Sequence, residues 1–165
     1  MRKINYLFIS IILLNLINAC AGYKPIYTSD LKFEISDYSI KSDPKLGNQI
    51  YSKLYNLSKS NRSQNDANIK NIAIIIDTSK EKNATVKDDA GKVLEHKIIL
   101  TSHIIIKNYS TGDEIVNKVF SETSSYAVQD QYSETIKLEK KNIEDMINKI
   151  YQNLLISISE NMLVQ

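Results

Sequence analysis

The chain has 165 residues, the length of about one domain, of which 42% are apolar and 24% charged. This composition excludes a disordered or collagen-like chain, and the single Cys excludes a disulfide framework and a cysteine-based zinc cluster, because each needs at least two thiols. The formal net charge of +2 comes from Arg2 and Lys3. Without residues 1–19, Lys and Arg number 19, as do Asp and Glu. This balance argues against a nucleic-acid-binding protein, which needs clustered cations.

The first residues have the three-part layout of a secretory signal peptide. A basic pair is followed by an apolar stretch from residue 6 to residue 17 and then by a small residue, Ala19. The stretch is shorter than the roughly 20 residues that span a bilayer, so a retained transmembrane helix is the weaker interpretation. We therefore predict that residues 1–19 are a signal peptide.

The only Cys stands at the end of this segment. The ending Ile17-Asn18-Ala19-Cys20 resembles the bacterial lipobox, in which the Cys thiol receives a lipid and the chain is cut before it, although Asn18 replaces the usual small or hydroxyl residue. We predict that Cys20 is lipidated and that residues 20–30 are its tether. The alternative is an ordinary signal peptide that is cut near a buried Cys. Because Ala21 follows, and not Asp, the known sorting rule favours the periplasmic face of the outer membrane.

Residues 31–165 are expected to form a single domain, which begins with a strand and a helix. Residues 31–36 alternate apolar and polar side chains, which is typical of a strand with one buried face. Asp43 and Pro44 then provide an N-cap and a Pro for the first helical position. Four apolar residues recur at helical spacing and predict a helix that ends near Lys59. They are Leu46, Ile50, Leu54 and Leu57.

Three further strands are predicted. The run of Ile at residues 72–76 suits a strand that is covered on both faces or lies in the middle of a sheet. Residues 97–107 are predicted to be the third strand and residues 114–125 the fourth, joined by a hairpin turn. The charged segment 78–95 is predicted to be a long exposed connection, with a ragged strand pair around Gly91 as the alternative.

Residues 131–160 change to helical spacing, with polar residues that include Glu139 on the other side. A helix of this length measures about 45 Å and is expected to lie across the whole sheet. The order β-α-β-β-β-α predicts an α+β two-layer sandwich, in which two helices cover a four-stranded mixed sheet. The apolar positions that define the last helix are Ile136, Ile143, Ile147, Ile150, Leu154 and Ile158.

Motifs of catalysis and cofactor binding, such as a P-loop, H-E-x-x-H or G-x-S-x-G, do not occur in the sequence. His96 and His103 are seven positions apart, so on one strand they face opposite sides and cannot share a metal. Asp88 and Asp89 lack the alternating oxygen ligands of a calcium loop, and a solvated turn is the preferred interpretation. We predict a protein that is not an enzyme and has no metal or cofactor.

Two sets of polar residues are candidates for contacts. Thr101 and His103 fall on the opposite face of the third strand from its four buried aliphatic residues, which makes that face amphipathic. Five lysines alternate with acidic residues in and after the charged connection, and the simplest interpretation is a charged loop in water. These lysines are Lys80, Lys82, Lys87, Lys92 and Lys97.

Residues 20–27, CAGYKPIY, resemble the C-G-F-x-P-L-Y sequence that follows the lipidated Cys in the lipopolysaccharide-assembly lipoprotein LptE of alphaproteobacterial type. Here Ala21 is an extra residue, and Tyr23 and Ile26 replace Phe and Leu. The order of strands and helices agrees with that family along the rest of the chain. Where the family often has Arg before the third strand, this chain has His96-Lys97.

The resemblance implies a lipoprotein that plugs the LptD β-barrel during lipopolysaccharide transport to the outer membrane. Thr101 and His103 would contact the barrel, and Lys87, Lys92 and Lys97 would contact a phosphorylated lipid head group. A domain of this length has a radius of gyration of roughly 15 Å, which fits only a barrel of about 22 strands or more. The alternative is a lipid-anchored accessory protein of another envelope transporter or secretion system.

Overall fold

A computed structural model of the chain describes residues 31–60 and 69–163. The signal peptide, Cys20, the tether and the polar stretch 61–68 lie outside the described residues. Within them, the elements follow the predicted order of strands and helices. The bounds are β1 (Phe33–Ser42), α1 (Pro44–Ser60), β2 (Lys70–Lys87), β3 (Val93–Asn108), β4 (Glu114–Ala127) and α2 (Tyr132–Leu163).

The sheet is mixed and has the strand order β1-β2-β3-β4. β1 runs parallel to β2, and the other neighbours are antiparallel. The parallel pair requires a crossover, which α1 supplies, whereas tight turns are enough to join β2 to β3 and β3 to β4. The α+β two-layer sandwich is therefore confirmed.

α1 begins where the sequence predicts. Asp43 is the N-cap, and its Oδ1 accepts hydrogen bonds from the backbone N–H groups of Lys45 at 3.0 Å and Leu46 at 3.1 Å. The helix approaches β1 closely at Gly47, where an added Cβ would collide with the side chain of Ile40. Glycine at this position therefore allows α1 to lie close to the sheet.

The core lies between the helices and one face of the sheet. α1 packs on β1 and β2, whereas α2 packs chiefly on β4 and less on β3. The expectation that α2 lies across the whole sheet was wrong: it is 32 residues long, but α1 already occupies the other half of the layer. The fully buried aliphatic residues of the central strands are Ile72, Ile74, Ile76, Ile98, Leu100, Ile104 and Ile106.

The charged segment 78–95 is mostly strand. β2 and β3 pair along nearly their whole lengths, and the turn between them occupies only residues 88–92. The strand-pair alternative is therefore confirmed, and the long connection is wrong. Strand pairing satisfies the hydrogen bonds of the backbone, whatever the side chains are. The two strands can therefore continue through a charged segment whose side chains are exposed to solvent.

Candidate functional site: the uncovered face of the sheet

The sheet has helices on one side only, and its other side, here called the outer face, is uncovered by any described residue. The outer face is formed by the odd-numbered residues of β2, β3 and β4, because side chains alternate along a strand. Three consecutive rows cross its centre in register. They are Ile75-Ile105-Asn117, Asp77-His103-Val119 and Ser79-Thr101-Ser121.

Thr101 lies in a row of hydroxyl groups. It pairs with Ser79 on β2 and with Ser121 on β4. Its Oγ1 is 3.4 Å from the Oγ of Ser121, and Thr101 is half-buried between its neighbours. Hydroxyl groups both donate and accept hydrogen bonds, so this row can meet either kind of polar partner.

His103 belongs to a chain of hydrogen bonds along the outer face. Its Nε2 lies 2.8 Å from the Oδ1 of Asn117, and the Nδ2 of Asn117 donates to the Oε2 of Glu114 at 3.0 Å. Because the amide oxygen can only accept, Nε2 of His103 is the donor. The hydrogen bond from Asn117, assisted by Lys107, lowers the pKa of the Glu114 carboxyl. The chain fixes the orientation of the His103 ring.

Aliphatic side chains complete the outer face. Ile75, Ile99 and Ile105 are half-buried by their neighbours, whereas 64% of the Val119 surface is exposed. The outer face therefore combines aliphatic side chains with hydroxyl and imidazole groups. As predicted, Thr101 and His103 share this face, while His96 points to the helix side.

The three lysines predicted to contact a lipid head group do not form one group. Lys87 ends β2, and Lys92 stands just before β3. These two flank a tight turn in which Asp88 Oδ1 accepts hydrogen bonds from the N–H groups of Ala90 and Lys92. This arrangement confirms the turn predicted at Asp88. Lys97 lies farther along β3, where it pairs with Asn83 and Ser125.

Lys80 and Lys82 were predicted to lie in a charged loop in water, but in the structure both form ion pairs. Lys82 Nζ lies 2.7 Å from Glu139 Oε2, and Lys80 Nζ lies 3.4 Å from Glu139 Oε1. The hydroxyl of Tyr126 also donates to Oε2, at 2.8 Å. Burial alone would raise the pKa of Glu139, but the hydrogen bonds from Lys82 and Tyr126 lower it to about 2.

Glu139 was predicted to lie on the polar side of the last helix, and this was wrong, because it reaches across to β2 and β4. The spacing did not place it. Glu139 and Lys140 both stand three or four residues from Ile136 and Ile143, yet Lys140 is exposed and Glu139 is not. Only the partners from β2 and β4 show why a carboxylate is tolerated there.

His96 faces the same side of the sheet as Glu139. Its ring lies 5.7 Å from that of Tyr126, and its buried Nδ1 has no hydrogen-bond partner among the described residues. Residues 31–60 and 69–163 contain no group of three or more His, Cys, Asp or Glu that could hold a metal ion. In the same part of the chain, neither helix is long and apolar enough to cross a membrane.

No known sequence family and no curated protein matches the chain. Solved structures do. The fold is similar to rare lipoprotein B from Shewanella oneidensis, with 14% identity, a TM-score of 0.53 and coverage of 77% of this chain and 96% of that chain. For lipoprotein B from Nitrosomonas europaea, the identity is 17% and the TM-score 0.56, over 81% and 88% of the two chains.

A minor lipoprotein from Acinetobacter baumannii is also similar, with 16% identity and a TM-score of 0.52 over 80% of this chain and 93% of that chain. At such low identity the likeness concerns the fold alone. The chain thus has the fold seen in these bacterial lipoproteins.

Proposed function

We propose that this chain is a lipid-anchored, outer-membrane lipoprotein of the LptE kind that plugs and supports an LptD-type β-barrel in lipopolysaccharide transport. The observation that carries this proposal is the uncovered outer face, a fully formed sheet surface with an exposed Val119 on its edge strand β4. The fold shared with rare lipoprotein B supports it. The lipobox and the sequence at residues 20–27 support the anchor.

The chemistry of the outer face suits the wall of a barrel lumen. Lumens of outer-membrane barrels are lined by polar side chains, and the hydroxyl groups of Ser79, Thr101 and Ser121 offer hydrogen bonds to them. Ile105 and Val119 would lose water-exposed apolar surface on contact, which favours binding. The role is one of binding and support, without an enzymatic step.

Contact with a phosphorylated lipid head group is assigned to the tip of the β2–β3 hairpin. Lys87 and Lys92 flank the turn there and are exposed, so they are free to approach a phosphate. Asp88 and Asp89 between them reduce the net positive charge. Lys97, which lies away from the tip, would contact the same lipid only if the lipid lay along the outer face.

Site-specific photo-crosslinking in intact outer membranes tests the proposal. A crosslinking amino acid at position 101 or 103 should capture one large β-barrel protein. The control is the same amino acid at Lys149, an exposed position of α2 on the other side of the sheet. It should capture the barrel protein less efficiently than position 101 or 103. Capture of inner-membrane or soluble proteins alone would refute the plug, and capture of another envelope transporter would favour the accessory-protein alternative.

A further inference from the structure

A groove runs between α1 and α2 on the side of the molecule opposite the outer face. It has a volume of about 620 Å³ and is open to solvent. We call it the interhelix groove and define it by six of the residues that line it. They are Lys45, Leu46, Lys53, Lys80, Lys140 and Ile143.

The interhelix groove is basic. Four of its defining residues are lysines, contributed by α1, β2 and α2. Lys45, Lys53 and Lys140 form no ion pair with any described residue, and Lys80 shares its partner Glu139 with Lys82. Two acids, Asp43 and Glu144, also line the groove. The lysines outnumber them four to two, so the groove attracts an anionic partner.

The spacing of the lysines indicates the shape of that partner. Lys45 and Lys53 are eight residues apart on α1, which places them about 12 Å apart along the helix axis. A single phosphate is too small to contact both. An extended peptide advances about 3.3 Å per residue, so carboxylates on residues four positions apart would lie about 13 Å from each other.

The rest of the lining also suits a peptide. Leu46 and Ile143 provide an apolar floor between the charged positions, and Gln49 and Ser52 offer side-chain hydrogen bonds for a backbone. These features together favour a peptide over a phosphorylated ligand.

We propose that the interhelix groove binds an acidic, extended peptide segment of a partner protein, with carboxylates at Lys45 and Lys53 and an apolar side chain over Leu46 and Ile143. The groove and the outer face lie on opposite sides of the sheet. Both can therefore be occupied at once, and this inference goes beyond the proposed function without depending on it.

The test uses the full chain in detergent and a fluorescent seven-residue peptide that has two glutamates four positions apart and a leucine midway. We expect saturable binding that weakens with salt. Replacing both lysines, in the Lys45→Glu, Lys53→Glu double variant, should weaken binding about tenfold or more. Lys149→Glu makes the same kind of charge change outside the groove and should leave the affinity unchanged. Circular dichroism establishes that each variant is folded.

Two competitor probes distinguish the source of the anion. Inorganic phosphate and phosphatidylglycerol in mixed detergent micelles should displace the peptide poorly, as should a peptide of the same composition with adjacent glutamates. Absence of saturable binding, equal binding by the double variant, or preferential binding of phosphate or phosphatidylglycerol would each overturn the proposal. The crosslinking experiment on the outer face does not depend on any of these results.

Discussion

The Nζ of Lys82 lies 2.7 Å from the Oε2 of Glu139 and ties the far end of β2 to the first turns of α2. The carboxylate is only 14% exposed and also accepts hydrogen bonds from Lys80 and Tyr126. Charge-assisted hydrogen bonds of this kind are stronger than neutral ones. Glu139 therefore connects α2 to the part of the β2–β3 hairpin that lies nearer the turn.

We expect Glu139→Gln to lower the free energy of unfolding by about 1–2 kcal/mol, because it removes a charge shared by Lys80, Lys82 and Tyr126. Chemical denaturation measures the change. Glu134→Gln is the matched control, since Glu134 pairs with Lys137 on an exposed helix surface and should cost less than about 0.5 kcal/mol. Equal losses in the two variants would contradict the anchoring role.

The same carboxylate should make stability depend on pH. The pKa of Glu139 is lowered from 4.5 to about 2 in the folded chain, so the folded state favours the ionised form more than the unfolded state does. The resulting stabilisation is fully present above pH 4.5 and is lost as the pH falls from 4.5 towards 2. Denaturation midpoints measured across this range should converge for wild type and Glu139→Gln at the acidic end. If the midpoints of the two proteins differ by the same amount at every pH, another group is responsible for the pH dependence of stability.

The buried face of α2 gives a test of the core. Ile147 and Leu154 are fully buried, so Ile147→Asp or Leu154→Asp would place an unpaired charge in the core and should cost several kcal/mol. Lys141→Asp, on the exposed side, should change the free energy of unfolding by at most about 0.5 kcal/mol. Denaturation of the full chain in detergent compares them. Similar denaturation midpoints for all three variants would mean that a different side of α2 packs against the sheet.

The period-2 pattern was enough to predict which face of β3 is buried. Ile104 and Ile106 alternate with His103 and Ile105, and the structure keeps that division along the strand. The cap of α1 was equally local, because Asp43 acts on the residues that follow it. Signals that depend on neighbours in the chain were therefore sufficient for the order of the elements and for the position of Thr101 and His103.

Contacts between distant elements were not predictable in this way. The contact of Glu139 with Lys82 depends on how α2 is set against β2, which no local pattern specifies. The interhelix groove arises because α1 and α2 share one face of the sheet side by side, whereas the sequence had suggested that α2 lies across the whole sheet. Lys45 and Lys140 thus become neighbours of one groove only in the folded chain.

Val119→Glu should separate partner binding from stability. The side chain is 64% exposed, so the free energy of unfolding should change by no more than about 0.5 kcal/mol. A charge on the outer face would nevertheless be left without water in a complex, which weakens binding. Co-purification of the barrel from outer membranes should therefore fall, whereas Lys149→Glu should have no effect. If the Val119→Glu variant still co-purifies with the barrel to the same extent, the barrel must contact another surface.

Cys20→Ser should abolish lipidation, because the only thiol of the chain is the group to which the lipid would be attached. Metabolic labelling with a radioactive fatty acid should mark the wild type and leave the variant unlabelled, with an unprocessed or unanchored chain. Asn18→Ser is the control, since it brings the lipobox closer to its usual sequence and should preserve labelling. Anchoring by acyl chains is stable when more than one is attached, so the loss should be seen as release from the membrane fraction. Equal labelling of Cys20→Ser and wild type would refute the lipid anchor.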